Sequence, residues 1–131
     1  MALTYRGLAC LLSYPTPAVK ETVDAVSQAL REENLLPAAN RKAVDALIAE
    51  IAADDLYDLQ ERYIDIFDRT RSLSLNLYEH VHGESRERGQ AMVALLELYR
   101  SRGLELDANE LPDFLPVFLE FLSILPQAEA A

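Results

Sequence analysis

One cysteine, Cys10, in a chain of 131 residues excludes an internal disulfide and fits a reducing compartment. No cation-rich surrounding is evident to lower its pKa, so Cys10 reads as a small core hydrophobe. The four glycines are scattered and cannot build a phosphate-cradling loop. No serine stands in a Gly-x-Ser-x-Gly elbow, and Cys10 is far along the chain from both histidines, so nucleophilic catalysis has no support. Basic residues are few: 12 against 22 acids, a net charge of −10, which disfavours nucleic acid and anionic lipid as partners. No apolar run approaches the roughly 20 residues that a bilayer demands. The run Leu8–Leu12 is too short for an export signal, and no small-x-small cleavage site follows it. These absences point to a soluble, cytoplasmic protein.

What remains is globular and helical. Half of the residues are hydrophobic and 26% are charged, a balance that suits one domain, 1–131, around a single core. Apolar residues recur at helical intervals, and only the short run Leu73–Leu77 alternates like a strand. Leu8, Leu11 and Leu12 begin one stripe that Pro15 closes. Thr16 then caps a second helix with Pro17 at its first position, and Val19, Val23, Val26 and Leu30 share its face. Val44, Leu47, Ile48 and Ile51 mark a third. Asp54 or Asp55 caps a fourth that buries Leu56, Leu59, Tyr63, Ile66 and Phe67. A fifth runs from near Glu84 to Arg102, with Met92, Leu95, Leu96 and Tyr99 inward and Gly103 as its C-cap. The pattern predicts an all-α, single-domain bundle of about six helices.

The last of these, from about Pro112, is apolar almost all round, with Asp113, Glu120 and Ser123 as its thin polar stripe. Such a helix must be buried on nearly every side. That predicts a central place in the bundle, or further helices beyond a C-terminally truncated chain. A truncated chain is expected to form a homodimer or swap elements to cover this surface.

Acids concentrate in two stretches. Asp45 to Asp68 holds eight acids and one base, and Glu105 to the end holds six acids and no base. Such runs read first as solvated faces; where they carry function, the partner is basic. Asp58 with Arg62, Asp65 with Arg69 and Glu84 with Arg88 have i, i+4 spacing for surface ion pairs. The region 73–92, LSLNLYEHVHGESRERGQAM, holds both histidines, and arginines at 69, 71, 86 and 88 lie within it or just before it. Glu79 and His82 have the Glu-x-x-His spacing of di-iron bundles, but a second copy and two further inward glutamates would be needed. His80 and His82 are too few for a tetrahedral zinc site without carboxylates. A metal-binding helical enzyme using Glu79, His80 and His82 is therefore the weaker alternative. The expectation is no metal, no cofactor and no catalytic residue.

A recognition surface is the stronger reading. An amphipathic peptide helix would lay its apolar face in a groove lined by Tyr63, Phe67, Leu77, Tyr78, Met92 and Phe118. Rim acids, Asp68 and Glu79 foremost, would meet its basic residues, and His80 and His82 would add a pH response. The competing reading of each apolar residue is plain core.

Several segments resemble a known family. Phe67-Asp-Arg-Thr-Arg71, Ser74-Leu75, Tyr78-Glu-His-Val-His-Gly-Glu-Ser-Arg86 and Arg88-Gly-Gln-Ala-Met92 are similar to the molybdenum-cofactor assembly chaperones of nitrate reductase, the NarJ type. Leu12-x-Tyr14-Pro15, Gly103-Leu-Glu-Leu106, Glu110-Leu-Pro-Asp113 and Leu115-Pro116 extend the likeness over nearly the whole chain. Three positions depart from it. Thr70 stands where glycine is common, Tyr78 where phenylalanine is, and Phe114 where the wider family's Glu-x-x-Asp-His signature has histidine. The resemblance implies an all-helical, cytoplasmic, non-enzymatic chaperone. Its client would be the catalytic subunit of respiratory nitrate reductase, held by the amino-terminal segment until the molybdenum cofactor is inserted and membrane attachment can follow.

Overall fold

Helix α2, Pro17–Glu33, begins where the sequence places it. Thr16 is extended and its side chain accepts the Val19 N–H, while Pro17 occupies the first turn. Asn34 ends it in the left-handed region at φ 50°, a conformation its short polar side chain tolerates. The computed structural model describes residues 3–81, 86–107 and 110–130. The other helices are α1 (Leu3–Leu11), α3 (Ala38–Ala53), α4 (Leu56–Tyr63), α5 (Leu77–Val81), α6 (Arg86–Ser101), α7 (Leu115–Ile124) and α8 (Gln127–Ala130). Asp55 caps α4 by accepting the Tyr57 and Asp58 N–H groups. A π-helical turn, Ile64–Asp68, continues α4, and a 3-10 turn, Arg71–Leu73, follows. The described residues form no strand, as the helical periodicity predicts, and none of their helices is long and apolar enough to cross a membrane.

The apolar interior divides into two clusters. Leu11, Val23, Val26, Leu30, Ile48, Ile51 and Leu59 form the first, from α1 to α4. Leu95, Tyr99, Val117, Phe121 and Leu125 form the second, around α6 and α7. Helix α1 packs on both α2 and α7 and so joins the two. Gly7 makes the α1–α2 approach close: a Cβ there would stand 3.0 Å from Val26 Cγ1. Cys10 is half-buried against the first cluster, its Sγ 3.4 Å from Thr22 Oγ1.

Three sequence expectations need correction. Helix α7 starts at Leu115, because a helix from Pro112 would need an N–H at position 116, which is proline. The Pro112 carbonyl instead accepts the Tyr99 hydroxyl at 2.7 Å. The polar stripe of the last helix is also not its wet face. Asp113 is 0% exposed and Ser123 is buried, leaving Glu120 outside. Finally, Arg62 pairs with Glu50 at 3.2 Å and Asp54 at 3.0 Å rather than with Asp58. Two acids from the neighbouring α3 end offer it a better seat than one on its own helix. The Asp65–Arg69 pair forms at 2.6 Å, whereas Glu84 lies outside the described residues.

The start of α1 is held by a carboxylate from the end of α2. Glu33 accepts the Leu3 N–H at 2.7 Å, and the Thr4 N–H and hydroxyl at 2.5 and 2.6 Å. Burial pushes this carboxyl's pKa up, but the Thr4 and Leu3 hydrogen bonds outweigh it and hold the group below its ordinary value. A depressed folded-state pKa adds stability above the unfolded value, lost as pH falls through the folded one. Glu33→Gln is therefore expected to cost about 1 kcal/mol at pH 7, as helix caps do. Denaturant melts should show the gap between wild type and variant closing in acid.

Candidate peptide-binding site

The π-helical turn after α4 sets Phe67 between two cavities. Tyr63, one turn earlier, donates its hydroxyl to the Leu12 carbonyl at 2.9 Å. Its ring meets Tyr14 edge-on at 5.7 Å and 87°, and Phe67 at 4.9 Å and 58°. These aromatic contacts fix the α4 end against the segment that follows α1. Burial, followed by the charge of Asp68, pushes the Tyr63 phenol up to about 12, so it remains a neutral donor.

On one side, Tyr63, Ile66 and Phe67 join Leu11, Leu12, Pro15, Leu47, Ile51 and Leu59 around an apolar cavity of about 140 Å³. Leu47 and Ile66, 37% and 38% exposed, form part of this lining. The sequence stripes place both side chains inward, yet each keeps a wet face. Glu50 and Arg62 complete the rim.

On the other side, Phe67 lines a polar cavity of about 400 Å³ with Asp68, Arg71, Ser74, Asn76, Glu79 and Arg88. Glu79 leans toward Arg88 at 3.9 Å. Asp68 and Arg71 make no ion pair among the described residues. The cavity thus carries two carboxylates and two guanidinium groups, so its rim is charge-balanced rather than purely acidic.

A clip of extended chain holds the far wall. Asn76 pairs with Phe114 in an antiparallel bridge, Leu115 N–H donates to the Leu75 carbonyl at 2.8 Å, and Leu77 N–H donates to the Asp113 carbonyl at 3.0 Å. Asp113 Oδ2 then accepts the Tyr78 N–H at 2.9 Å, at the start of α5. Its Oδ1 is buried with no partner among the described residues. This clip accounts for the extended chain at Leu75–Leu77, whereas Leu73 ends the 3-10 turn and is exposed. It also gives Asp113 a polar role without the histidine that the wider signature carries.

The ten residues expected at the site do not share one groove. Tyr63 and Phe67 line the apolar cavity, and Phe67, Asp68 and Glu79 line the polar one. Neither cavity includes Leu77, Tyr78, Met92 or Phe118. Tyr78 and Phe118 instead pack on the second cluster, with the Phe118 ring 6.5 Å from Phe121. Leu77 opens α5 and Met92 lies half-buried on α6. His80 is exposed and its Nε2 sits 2.8 Å from the Ser74 carbonyl, while His82 lies outside the described residues. Sequence reasoning missed Leu12, Leu47 and Ile66 as cavity lining, and Arg71, Ser74, Asn76 and Arg88 as polar neighbours. The arginine crowding around 69–88 was the available signal for the latter.

Comparison with known proteins follows the same lines. The chain is 45% identical over 120 residues to the nitrate reductase molybdenum cofactor assembly chaperone NarJ of Escherichia coli K12, covering 92% of this chain and 51% of that one. It therefore spans about half the length of that relative. It is 36% identical over 100 residues to the nitrate reductase-like protein NarX of Mycobacterium tuberculosis, covering 73% of this chain and 15% of the other. The fold matches a crystal structure of a redox enzyme maturation protein from Archaeoglobus fulgidus, with a TM-score of 0.67 and 21% identity over 95% of this chain and 70% of that one. Residues 33–131, which include α3 to α8 and both cavities' Phe67, match the nitrate reductase delta subunit family, and to that family the chain belongs.

Proposed function

We propose that this chain acts in the cytoplasm as a dedicated assembly chaperone for the catalytic subunit of a respiratory nitrate reductase, and that it is not an enzyme. It holds the subunit's amino-terminal segment before the molybdenum cofactor is inserted, and so delays membrane attachment. Family membership carries this reading; the two cavities meeting at Phe67 support its peptide-binding part. An amphipathic helix would set its apolar side chains between Leu47, Ile66 and Phe67. Burial there supplies about 25 cal/mol for each Å² removed from water. Asp68 and Glu79 would meet basic residues of the segment and set its orientation. Arg71 and Arg88 reduce that attraction, so the salt dependence should be shallow: less than tenfold in affinity, on the order of 1 kcal/mol, between low and physiological ionic strength.

The test compares the catalytic subunit with and without its cofactor as binding partner for the purified chain. Binding to the cofactor-free subunit alone is the expected result. Equal binding to both forms would remove the timing role, and binding to neither would remove the client.

A further inference from the structure

We infer that the polar cavity beside Phe67 is a seat for a free chain terminus, the α-amino group of the bound segment. This rests on the peptide-binding reading above and deepens it. An apolar cleft and a polar cavity share one aromatic wall, Phe67. A helix that lay in the cleft and passed onward through the cavity would bring backbone groups already paired within the helix. The cavity's own donors and acceptors would then face little but side chains. A helix that begins there is different. Its first turn presents unpaired N–H groups and the positive end of the dipole, and the chain end adds an ammonium.

The lining answers each of those groups. Asp68 has no ion-pair partner among the described residues, and Glu79 is only loosely paired with Arg88, at 3.9 Å. Both carboxylates are therefore free to accept from an ammonium and from first-turn N–H groups. The Asn76 side-chain oxygen can accept a further first-turn N–H. The two guanidinium groups also keep two neighbouring carboxylates from repelling each other in the empty cavity. A purely acidic pocket would suit any lysine or arginine side chain. Acceptors for an ammonium set beside acceptors for unpaired N–H groups match the start of a helix at a chain end, where both lie within a residue or two of each other.

The experiment titrates the protein with a synthetic peptide carrying the catalytic subunit's amino-terminal sequence, in free-amine and Nα-acetylated forms with every side chain intact. The expected result is binding about tenfold weaker or more after acetylation, as for loss of one charge-assisted contact. That difference should shrink when pH is raised past about 8, where an α-amine loses its proton, whereas a lysine contact would persist to about 10. It should also shrink in Asp68→Asn and Glu79→Gln, which keep side-chain shape. Equal affinities for the two peptides would overturn the amine seat and leave the client reading standing. Acetyl discrimination undiminished in both variants would overturn it as well. If neither peptide binds, the client reading fails and the seat falls with it.

Discussion

Tyr99→Ala is expected to lower the unfolding free energy by about 3–5 kcal/mol, the range for deleting a buried aromatic ring. Tyr99 is 0% exposed at the centre of the second cluster, its ring 4.8 Å from Phe121. Its hydroxyl donates to the Pro112 carbonyl at 2.7 Å, which holds the segment leading into α7. Deletion therefore opens a cavity and frees the clip that carries Asp113 to the start of α5. Tyr99→Phe isolates the second effect. It keeps the packing, leaves the Pro112 carbonyl unpaired and should cost about 1–2 kcal/mol. Burial, then the neighbouring Tyr78 and Asp113, raise the Tyr99 phenol above its ordinary value, so the neutral form is the folded one. A raised folded-state pKa gives stability that is complete below the unfolded value, near pH 10, and lost above it. The difference between wild type and Phe variant should thus stay constant from pH 6 to about 9 in denaturant titrations. A Tyr99→Ala protein as stable as wild type would contradict the packing described here.

Phe67→Ala is expected to leave the fold intact and to weaken peptide binding by about tenfold to a hundredfold, the loss of an aromatic anchor at an interface. Phe67 is only half-buried, sits in the π-helical turn and belongs to neither buried cluster. Its ring contacts Tyr63 and forms a wall of both cavities. Stability should therefore fall by less than about 2 kcal/mol, below the range for a fully buried aromatic. Phe118→Ala makes the contrast. That residue packs on the second cluster rather than on either cavity, so its truncation should act through stability before affinity.

Much of this arrangement was legible from the residues alone. Thr16 and Pro17 announce α2, the pair Asp54 and Asp55 announces α4, of which Asp55 is the cap, and Gly103, at φ 86°, ends α6 with the Leu104 N–H returning to the Tyr99 carbonyl at 3.0 Å. Caps are local, and local signals survive folding. Phe67, Asp68 and Glu79 were also placed near one another, because they lie within one short stretch of chain. The groove as a whole was not legible. Periodicity reports which side of a helix is apolar, not which apolar faces meet, and so it groups Tyr78 and Phe118 with Tyr63 although they pack on the second cluster. Asp113 failed for a related reason: an acid at a helix edge looks solvated until a distant N–H, here that of Tyr78, 35 residues back, is found to need it.

The most direct test of the account is a calorimetric titration of this chain with the amino-terminal peptide of the nitrate reductase catalytic subunit, on wild type, Phe67→Ala and Phe118→Ala. Circular dichroism on the same samples would check folding. The account predicts one peptide bound per chain, affinity lost in folded Phe67→Ala, and affinity retained in whatever fraction of Phe118→Ala remains folded. Undiminished affinity in folded Phe67→Ala would contradict it.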